Sequence, residues 1–263
     1  MTVSIERIKA PSKAEFFANF VKPQQAVILT GVMDNWPALE RWSVNYFRKK
    51  YGHLTVPIQD YDIDISTDPE HYLKNQQVVD MRFEQYLDTL DDPGDSRYYM
   101  VQADFALFND ELREDLGAIN YLSWSNKLRG RKYFIRMGQP RCNSFLHIDT
   151  LHNFFCQIHG RKRWGLYPQD QLKYLYIPSE LRIERYSPIN LAQVDDEKYP
   201  LFALAQRTEV MLNKGDVLYL PPNWGHYVDT VDFSIGVNIW WDTSYNEIKG
   251  MPNYLKRKWT GKR

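Results

Sequence analysis

The chain has 263 residues, of which 43% are hydrophobic and 15% aromatic, enough for a sizeable core in one domain. Lys plus Arg equals Asp plus Glu, at 33 each, so no global charge attracts nucleic acid or an anionic membrane. Cys142 and Cys156 are too few for a disulfide framework and suit a reducing compartment. The sequence shows neither a signal-peptide pattern nor an apolar run of about 20 residues, so we expect a soluble cytoplasmic protein without a membrane segment.

The first half of the chain mixes helices with short strands. Apolar residues at helical spacing predict helices over 11–22, 43–50, 82–90 and 111–116. Apolar runs rich in β-branched and aromatic residues predict strands over 26–30, 54–58 and 98–102. Pro57 suggests a sheet edge for the second of these strands, because proline has no N–H to donate to a neighbour. Residues 60–80 are polar and predict irregular structure.

From residue 132 onward the sequence predicts strand after strand, with one helix over 168–176 and a polar insert over 178–207. Residues 209–212 and 216–220 predict a hairpin that turns at Asn213-Lys-Gly215, and the last strand covers 233–241. No repeat or linker divides the chain. We therefore expect one domain, 1–263, of mainly β structure with flanking helices: 1–120 buttress a core at 121–243, and 244–263 form a basic tail.

His147 and Asp149 lie two residues apart on a predicted strand, so their side chains point to the same face. A third metal ligand is available in His226, which follows the rigid pair Pro221-Pro222. Two histidines and one carboxylate on one side of an ion leave its other positions open, an arrangement typical of non-haem Fe(II) oxygenases. We predict that His147, Asp149 and His226 form such a metal centre.

Other segments accompany the triad: Asn153-Phe-Phe-Cys-Gln-Ile, Gly160-Arg-Lys162-Arg163, Lys214-Gly-Asp-Val-Leu-Tyr-Leu-Pro-Pro, Trp224-Gly-His226 and Gly236-Val-Asn238-Ile-Trp240. Together with His147-Ile-Asp149 they resemble the cupin-like JmjC oxygenases, most closely the small JmjC hydroxylases of the factor-inhibiting-HIF type. The similarity is clear over 131–243 and looser back to residue 26. It implies a double-stranded β-helix, the jelly-roll or cupin barrel, that binds Fe(II) and 2-oxoglutarate and consumes O2.

The resemblance also implies residues for the cosubstrate. Lys162 matches the lysine that holds the far carboxylate of 2-oxoglutarate, a charge-assisted interaction. Ser144 and Tyr99 would add hydroxyl groups to the same carboxylate. Arg161 and Arg163 flank Lys162, and either would be the anchor if the strand register differs by one residue.

Asn153 and Asn238 are asparagines in the middle of predicted strands, where asparagine is poorly suited. A buried amide needs hydrogen-bond partners, so each either bonds the backbone in the core or reaches the metal-bound end of the cosubstrate. The resemblance favours the second reading.

Several other residues are left outside the predicted site. Trp224 and Trp240 either wall the pocket or pack in the core. Four histidines are not assigned as ligands; three of them are expected at the surface, namely His53, His71 and His152, and the fourth is His159. Cys156 is expected to pack in the core, since nothing in the sequence activates it as a nucleophile.

The resemblance implies an enzyme that hydroxylates an amino-acid side chain of a protein or peptide, with release of succinate and CO2. Two alternatives stay open, a tRNA-modifying hydroxylase of the wybutosine-pathway type and a non-catalytic metal-binding cupin. The neutral net charge argues against the RNA substrate. A chromatin demethylase is disfavoured because those proteins more often have Glu in the middle ligand position, where this chain has Asp149. Homodimerisation is left open.

Overall fold

The computed structural model describes residues 4–60, Pro69, 77–91, 97–122, 132–179 and 184–241. The predicted basic tail at 244–263 and His71 lie outside the described residues. Strands dominate the described part of the chain, and their bounds are β1 Glu6–Lys9, β2 Val27–Thr30, β3 Thr55–Asp60, β4 Gln77–Arg82, β5 Tyr98–Asp104, β6 Lys132–Gly138, β7 Ser144–Asp149, β8 His152–His159, β9 Lys162–Tyr167, β10 Glu184–Tyr186, β11 Thr208–Leu212, β12 Val217–Leu220, β13 Gly225–Thr230 and β14 Ser234–Trp241.

These strands form two sheets that pack as a jelly-roll-like sandwich. The larger sheet has nine strands in the order β1-β2-β12-β8-β14-β6-β5-β3-β4, and the smaller has five in the order β10-β7-β13-β9-β11. The predicted mainly β class and cupin-type fold are confirmed. The sheets face each other as a sandwich and do not close into a barrel.

From β6 to β9, and again from β11 to β14, consecutive strands alternate between the sheets, as the chain winds around a jelly roll. The predicted hairpin over 209–220 is therefore wrong: β11 pairs with β9, whereas β12 pairs with β2 and β8. β7 and β8 are likewise in different sheets, as are β8 and β9. A turn pattern in the sequence reports that the chain reverses, but it does not report which sheet receives the next strand.

The four helices predicted in the first half are present, and a further one at Ala38–Arg41 was not predicted. The α-helices of the described ranges are α1 Lys13–Phe16, α2 Ala38–Arg41, α3 Val44–Tyr51, α4 Phe83–Thr89 and α5 Asp110–Glu114. α1 begins with a capping box between Ser12 and Glu15 and continues as a π-helix over Phe17–Val21. Short 3₁₀ helices cover Phe105–Leu107, Gln169–Tyr174 and Pro200–Leu204; the second replaces the predicted helix at 168–176.

Two predictions in the first half are wrong. Residues 77–80, expected to be irregular, begin β4, which pairs along all of β3. β3 is therefore not the edge of the sheet. Pro57 is tolerated because β5 pairs with β3 only at Gln59 and Asp60, which leaves the β5 side of Pro57 without a strand partner.

The centre of the larger sheet is buried on both faces, and the residues of β8 alternate between those faces. Phe154, Cys156 and Ile158 pack on the outer face under the N-terminal helices, in one cluster with Phe16 and Phe20. Phe155 packs on the inner face against Trp164 of the smaller sheet. Burial on both sides explains why the centre of this strand, Phe154 to Ile158, is mostly apolar. No helix within the described ranges is long and apolar enough to span a membrane.

Candidate active site

His147 and Asp149 of β7 and His226 of β13 come together on the inner face of the smaller sheet. β7 and β13 are neighbours, and His147 lies directly opposite His226 in the register. One ligand atom from each of the three residues lies within 4.8 Å of the others. The two imidazole rings are 4.1 Å apart between centroids, and His226 Nε2 is 3.7 Å from Asp149 Oδ2. All three side chains are buried, at most 5% exposed.

Backbone carbonyl groups set the orientation of both imidazoles. His147 Nδ1–H donates to the oxygen of Phe145 at 2.6 Å, and His226 Nδ1–H donates to the oxygen of Trp224 at 3.0 Å. Each ring therefore presents an unprotonated Nε2 for a metal. Tyr186 of β10 stacks on the His147 ring at 5.0 Å and 19°, which holds the first ligand in place from the insert.

Burial is the main electrostatic influence on the two histidines. It lowers the pKa of His147 well below its usual value, and repulsion from a protonated His226 and from the Arg136 guanidinium lowers it further. Burial also lowers the pKa of His226 to about 4, partly opposed by its hydrogen bond to Trp224. Both imidazoles are therefore neutral near pH 7, the state in which histidine binds metal.

The turn that delivers His226 is tied to the strand that carries the other ligands. Asn223 follows Pro221-Pro222 with a φ of 58°, in the left-handed region that Asn tolerates better than most residues. Its backbone N–H donates to the oxygen of Asp149 at 2.7 Å. The insert adds a further tie, since Arg185 donates to the Asn223 side chain at 3.2 Å.

Lys162 is a buried cation in the same cavity. Its side chain is 1% exposed, and Nζ donates to Thr230 Oγ1 at 2.7 Å and to Tyr99 Oη at 3.2 Å. Among the described residues it forms no ion pair with a carboxylate. A buried ammonium is costly unless an anion pairs with it, so this pocket fits a ligand carboxylate.

The arginines beside Lys162 point the other way. Along β9, Lys162, Trp164 and Leu166 face inward, whereas Arg163 is exposed. Arg161 is also exposed, and its guanidinium pairs with Asp232 at 2.6 Å. Strand alternation therefore places only Lys162 of the three in the cavity.

One cavity brings together every residue predicted for the site. Its walls carry the triad, Lys162, Tyr99, Ser144, Asn153 and Asn238. Ser144 reaches the cavity because of a β-bulge between β7 and β13. His147 pairs with His226 and Ser144 pairs with Val228, so three residues of β7 span the same length as two residues of β13. Without that bulge, residues three apart would face opposite sides of the strand.

Asn153 and Asn238 bond each other and face the cavity. Asn238 Nδ2–H donates to Asn153 Oδ1 at 3.1 Å, across the β8–β14 pair. Arg136 of β6 donates its Nε–H to Asn238 Oδ1. Within the described part of the chain neither amide is hydrogen-bonded to the backbone, which disagrees with the reading of these residues as backbone-bonded core groups.

The structure also gives positions for three residues outside the predicted site, one histidine and two tryptophans. His152 was expected at the surface, but it is 4% exposed on the outer face of β8, stacked on Trp241 at 4.3 Å. Trp224 packs in the core between the sheets and donates Nε1–H to the oxygen of Gln24, and Trp240 packs with Phe134 and Leu151. Neither tryptophan lines the cavity.

The sequence reasoning missed several cavity residues. Arg136, Trp164 and Phe155 line the cavity, and Thr230 binds Lys162. Strand alternation could have identified Arg136. It shares one face of its strand with Phe134 and Gly138, and the residues between them are apolar and belong to the other face. Cys156 behaves as the sequence indicates: the thiol is buried in the core, where burial raises its pKa. His159, for which the sequence predicted no position, is exposed.

The donor set fits Fe(II). Two neutral imidazoles and one carboxylate form three ligands on one side of an ion and leave positions free for other molecules. The fit rests on ligand type and mutual distance among buried groups.

Comparison with known proteins places the chain in a family. The cupin-like domain model matches residues 13–247. Lysine-specific demethylase 8 of Xenopus tropicalis is 30% identical over 90% of this chain and 53% of its own length. Human tRNA wybutosine-synthesizing protein 5 is 26% identical over 90% and 77%. The human bifunctional peptidase and (3S)-lysyl hydroxylase JMJD7 is 24% identical over 90% and 84%.

The chain thus spans about half the length of the frog relative and more of the two human ones. Proteins of this kind use Fe(II) and 2-oxoglutarate, which agrees with the donor set and with the buried ammonium of Lys162. On the match over 13–247 and on the geometry of its site, the chain belongs to the cupin-like JmjC family of 2-oxoglutarate oxygenases.

Proposed function

We propose that this chain is an Fe(II)- and 2-oxoglutarate-dependent hydroxylase that acts on an amino-acid side chain of a protein or peptide. The observation that carries the proposal is one cavity that holds both a buried His-Asp-His triad and a buried ammonium without a carboxylate partner among the described residues. A metal site alone would need only the triad. The buried ammonium of Lys162 adds a binding position for the far carboxylate of a dicarboxylate.

Each group of residues has a distinct task in this proposal. His147, Asp149 and His226 would hold Fe(II), which when bound supplies O2 activation coupled to decarboxylation of 2-oxoglutarate to succinate and CO2. Lys162, Tyr99 and Ser144 would hold the far carboxylate of the cosubstrate. Asn153 and Asn238 would face its metal-bound end. The walls of Phe155, Trp164 and Val228 would keep bulk water from the reacting groups.

The direct test incubates purified Fe(II)-loaded protein with 2-oxoglutarate and a peptide library under air. We expect succinate, and a mass gain of one oxygen atom on a subset of peptides. The matched negative control is Asp149→Ala, and Asp196→Ala, an exposed aspartate in the insert, is the matched positive control. Absence of succinate production and of 2-oxoglutarate binding by the wild-type protein would leave a non-catalytic metal-binding cupin as the explanation.

A second candidate is a tRNA-modifying hydroxylase, favoured by the 26% identity to the wybutosine-synthesizing protein over 90% of this chain. The neutral net charge of the chain, with 33 basic and 33 acidic residues, argues against an RNA substrate. Retention on tRNA at low salt that falls steeply as salt rises would favour this candidate over the peptide hydroxylase.

The name of the frog relative raises a third outcome for the same assay. Hydroxylation of an N-methyl group releases formaldehyde and leaves a peptide lacking that methyl group, whereas side-chain hydroxylation leaves the oxygen on the product. Including N-methylated lysine peptides in the library separates these reactions by product mass and by formaldehyde. The location in the cytoplasm and the oligomeric state stay predictions.

A further inference from the structure

Three polar side chains on the inner face of the larger sheet are connected in series. Arg136 of β6 donates Nε–H to Oδ1 of Asn238 on β14, and Asn238 donates Nδ2–H to Oδ1 of Asn153 on β8, at 3.1 Å. β14 lies between the other two strands in the sheet, so the series runs across three adjacent strands. All three residues line the cavity of the metal triad.

The direction of this series is decided at Arg136. The two ends of an asparagine amide have nearly the same shape, so shape alone does not determine which end faces which neighbour. A guanidinium has donors only, so the Asn238 atom that meets Arg136 must be the oxygen. The side-chain nitrogen of Asn238 then faces Asn153 and donates a hydrogen bond, so the Asn153 atom that accepts it must be the side-chain oxygen.

The remaining end of the Asn153 amide is consequently its nitrogen. Within the described chain, the only hydrogen bond of this side chain is the one that its oxygen accepts from Asn238. The Nδ2 donors are thus the end that Asn153 offers to a ligand in the cavity. Donors suit a carboxylate or a carbonyl oxygen, whereas the reversed amide would present an acceptor and repel either group.

We propose that Arg136 is a positioning residue that fixes the polarity of the Asn238 and Asn153 amides, so that Asn153 presents N–H donors to the metal-bound end of the cosubstrate. The inference rests on the proposed function, because it concerns how the same cavity holds 2-oxoglutarate. Arg136 acts through two other side chains and does not itself need to touch the ligand.

The test is a double-mutant cycle on binding of 2-oxoglutarate to Mn(II)-loaded protein, measured by calorimetry, so that turnover is not required. Arg136→Met should weaken 2-oxoglutarate binding roughly three- to tenfold, the effect of losing about one hydrogen bond. Asn153→Ala should weaken it by a similar factor. In the Asn153→Ala background, Arg136→Met should then have almost no further effect, because the amide that it orients is gone.

Asn238→Ala provides a second way to break the series while Arg136 stays in place. It should reproduce the loss seen with Arg136→Met, so the test survives if the arginine variant does not fold. Arg163→Met, which removes an exposed guanidinium from the outer face of β9, is the matched control and should bind as wild type. Mn(II) affinity and the unfolding midpoint, measured on every variant, should change far less than 2-oxoglutarate affinity.

Several results would overturn the inference. Equal losses from Arg136→Met in the wild-type and Asn153→Ala backgrounds would mean that Arg136 contacts the ligand directly. Parallel losses of 2-oxoglutarate binding, Mn(II) binding and stability would mean that the residue only supports the fold. Failure of the wild-type protein to bind 2-oxoglutarate would instead overturn the proposed function and this inference together, so the two failures are distinguishable.

Discussion

The two faces of the larger sheet bury polar groups in different ways. On the outer face of β8, His152 is enclosed by protein: it lies 2.9 Å from the Tyr219 hydroxyl and stacks on Trp241. On the inner face, Asn153 and Asn238 bond each other and also line a cavity. Burial of a polar side chain therefore does not by itself indicate function. What distinguishes the inner face is that its polar groups face a common space.

The buried histidines also differ between the site and the core. His147 and His226 hydrogen-bond the backbone through Nδ1 and turn Nε2 toward each other and Asp149. His152 uses its Nδ1 on a tyrosine of the core cluster. We expect substitutions on the inner face to change ligand binding and substitutions on the outer face to change stability.

The largest effect is expected from Asp149→Ala. Two imidazoles alone hold Fe(II) weakly, so turnover should be abolished and Fe(II) affinity should fall by more than the ten- to hundredfold typical of losing an outer-shell partner. Metal content after dialysis and succinate formation measure the two effects. Asp196→Ala, an exposed aspartate, should retain both. Near-normal metal content and turnover in Asp149→Ala would contradict the assignment of the triad.

His152→Ala should chiefly affect stability. The change removes a buried ring and its contact with Tyr219, which should lower the free energy of unfolding by about 2–4 kcal/mol. Urea denaturation measures this loss, and calorimetry on the folded protein should show unchanged 2-oxoglutarate and Mn(II) affinities. His159→Ala, the exposed histidine at the end of the same strand, is the matched control. A selective loss of metal affinity in His152→Ala would place this histidine in the site.

Lys162→Met should weaken 2-oxoglutarate binding roughly ten- to a hundredfold, because a hydrogen bond to a charged group contributes about 1.5–3 kcal/mol. Methionine retains the buried aliphatic stem, and Fe(II) binding should persist because the ion has three other ligands. Lys162→Arg should recover only part of the affinity, since the planar fork does not fit a pocket formed around a point charge.

Arg161→Ala and Arg163→Ala are the neighbouring controls for Lys162, as both side chains point away from the cavity. Titration of 2-oxoglutarate against all four variants compares the three basic residues directly. A selective shift in an arginine variant would transfer the anchoring role to that residue.

The smallest effect is expected from Tyr99→Phe. It removes the phenol oxygen that accepts from Lys162 but retains the buried ring, so 2-oxoglutarate affinity should fall roughly two- to tenfold. Tyr227→Phe removes a phenol on the outer face of β13, where it donates to Glu209, and should leave binding unchanged. Equal effects of the two variants, measured by calorimetry, would contradict a specific role for Tyr99.

Local sequence patterns predicted much of the fold and the site. The strand period placed His147 and Asp149 on one face, and the apolar and aromatic residues within β8 and β14 identified these segments as strands. The helices that begin at Ser12 and Ser43 were visible from their caps. The cosubstrate residues were available only through resemblance to a family, because nothing local distinguishes Lys162 from Arg161 or Arg163 before the strand register is known.

The sequence by itself determined the β class of the chain and the shared face of His147 and Asp149, because both depend on side chains a few positions apart. Only the tertiary structure decided which sheet receives each strand, that a bulge turns Ser144 toward the cavity, and that Arg136 and Thr230 complete the site. These features depend on pairing between strands far apart in the chain. His152 and Asn153 are adjacent in sequence, yet the faces that cover their strand place one in the core and the other in the cavity.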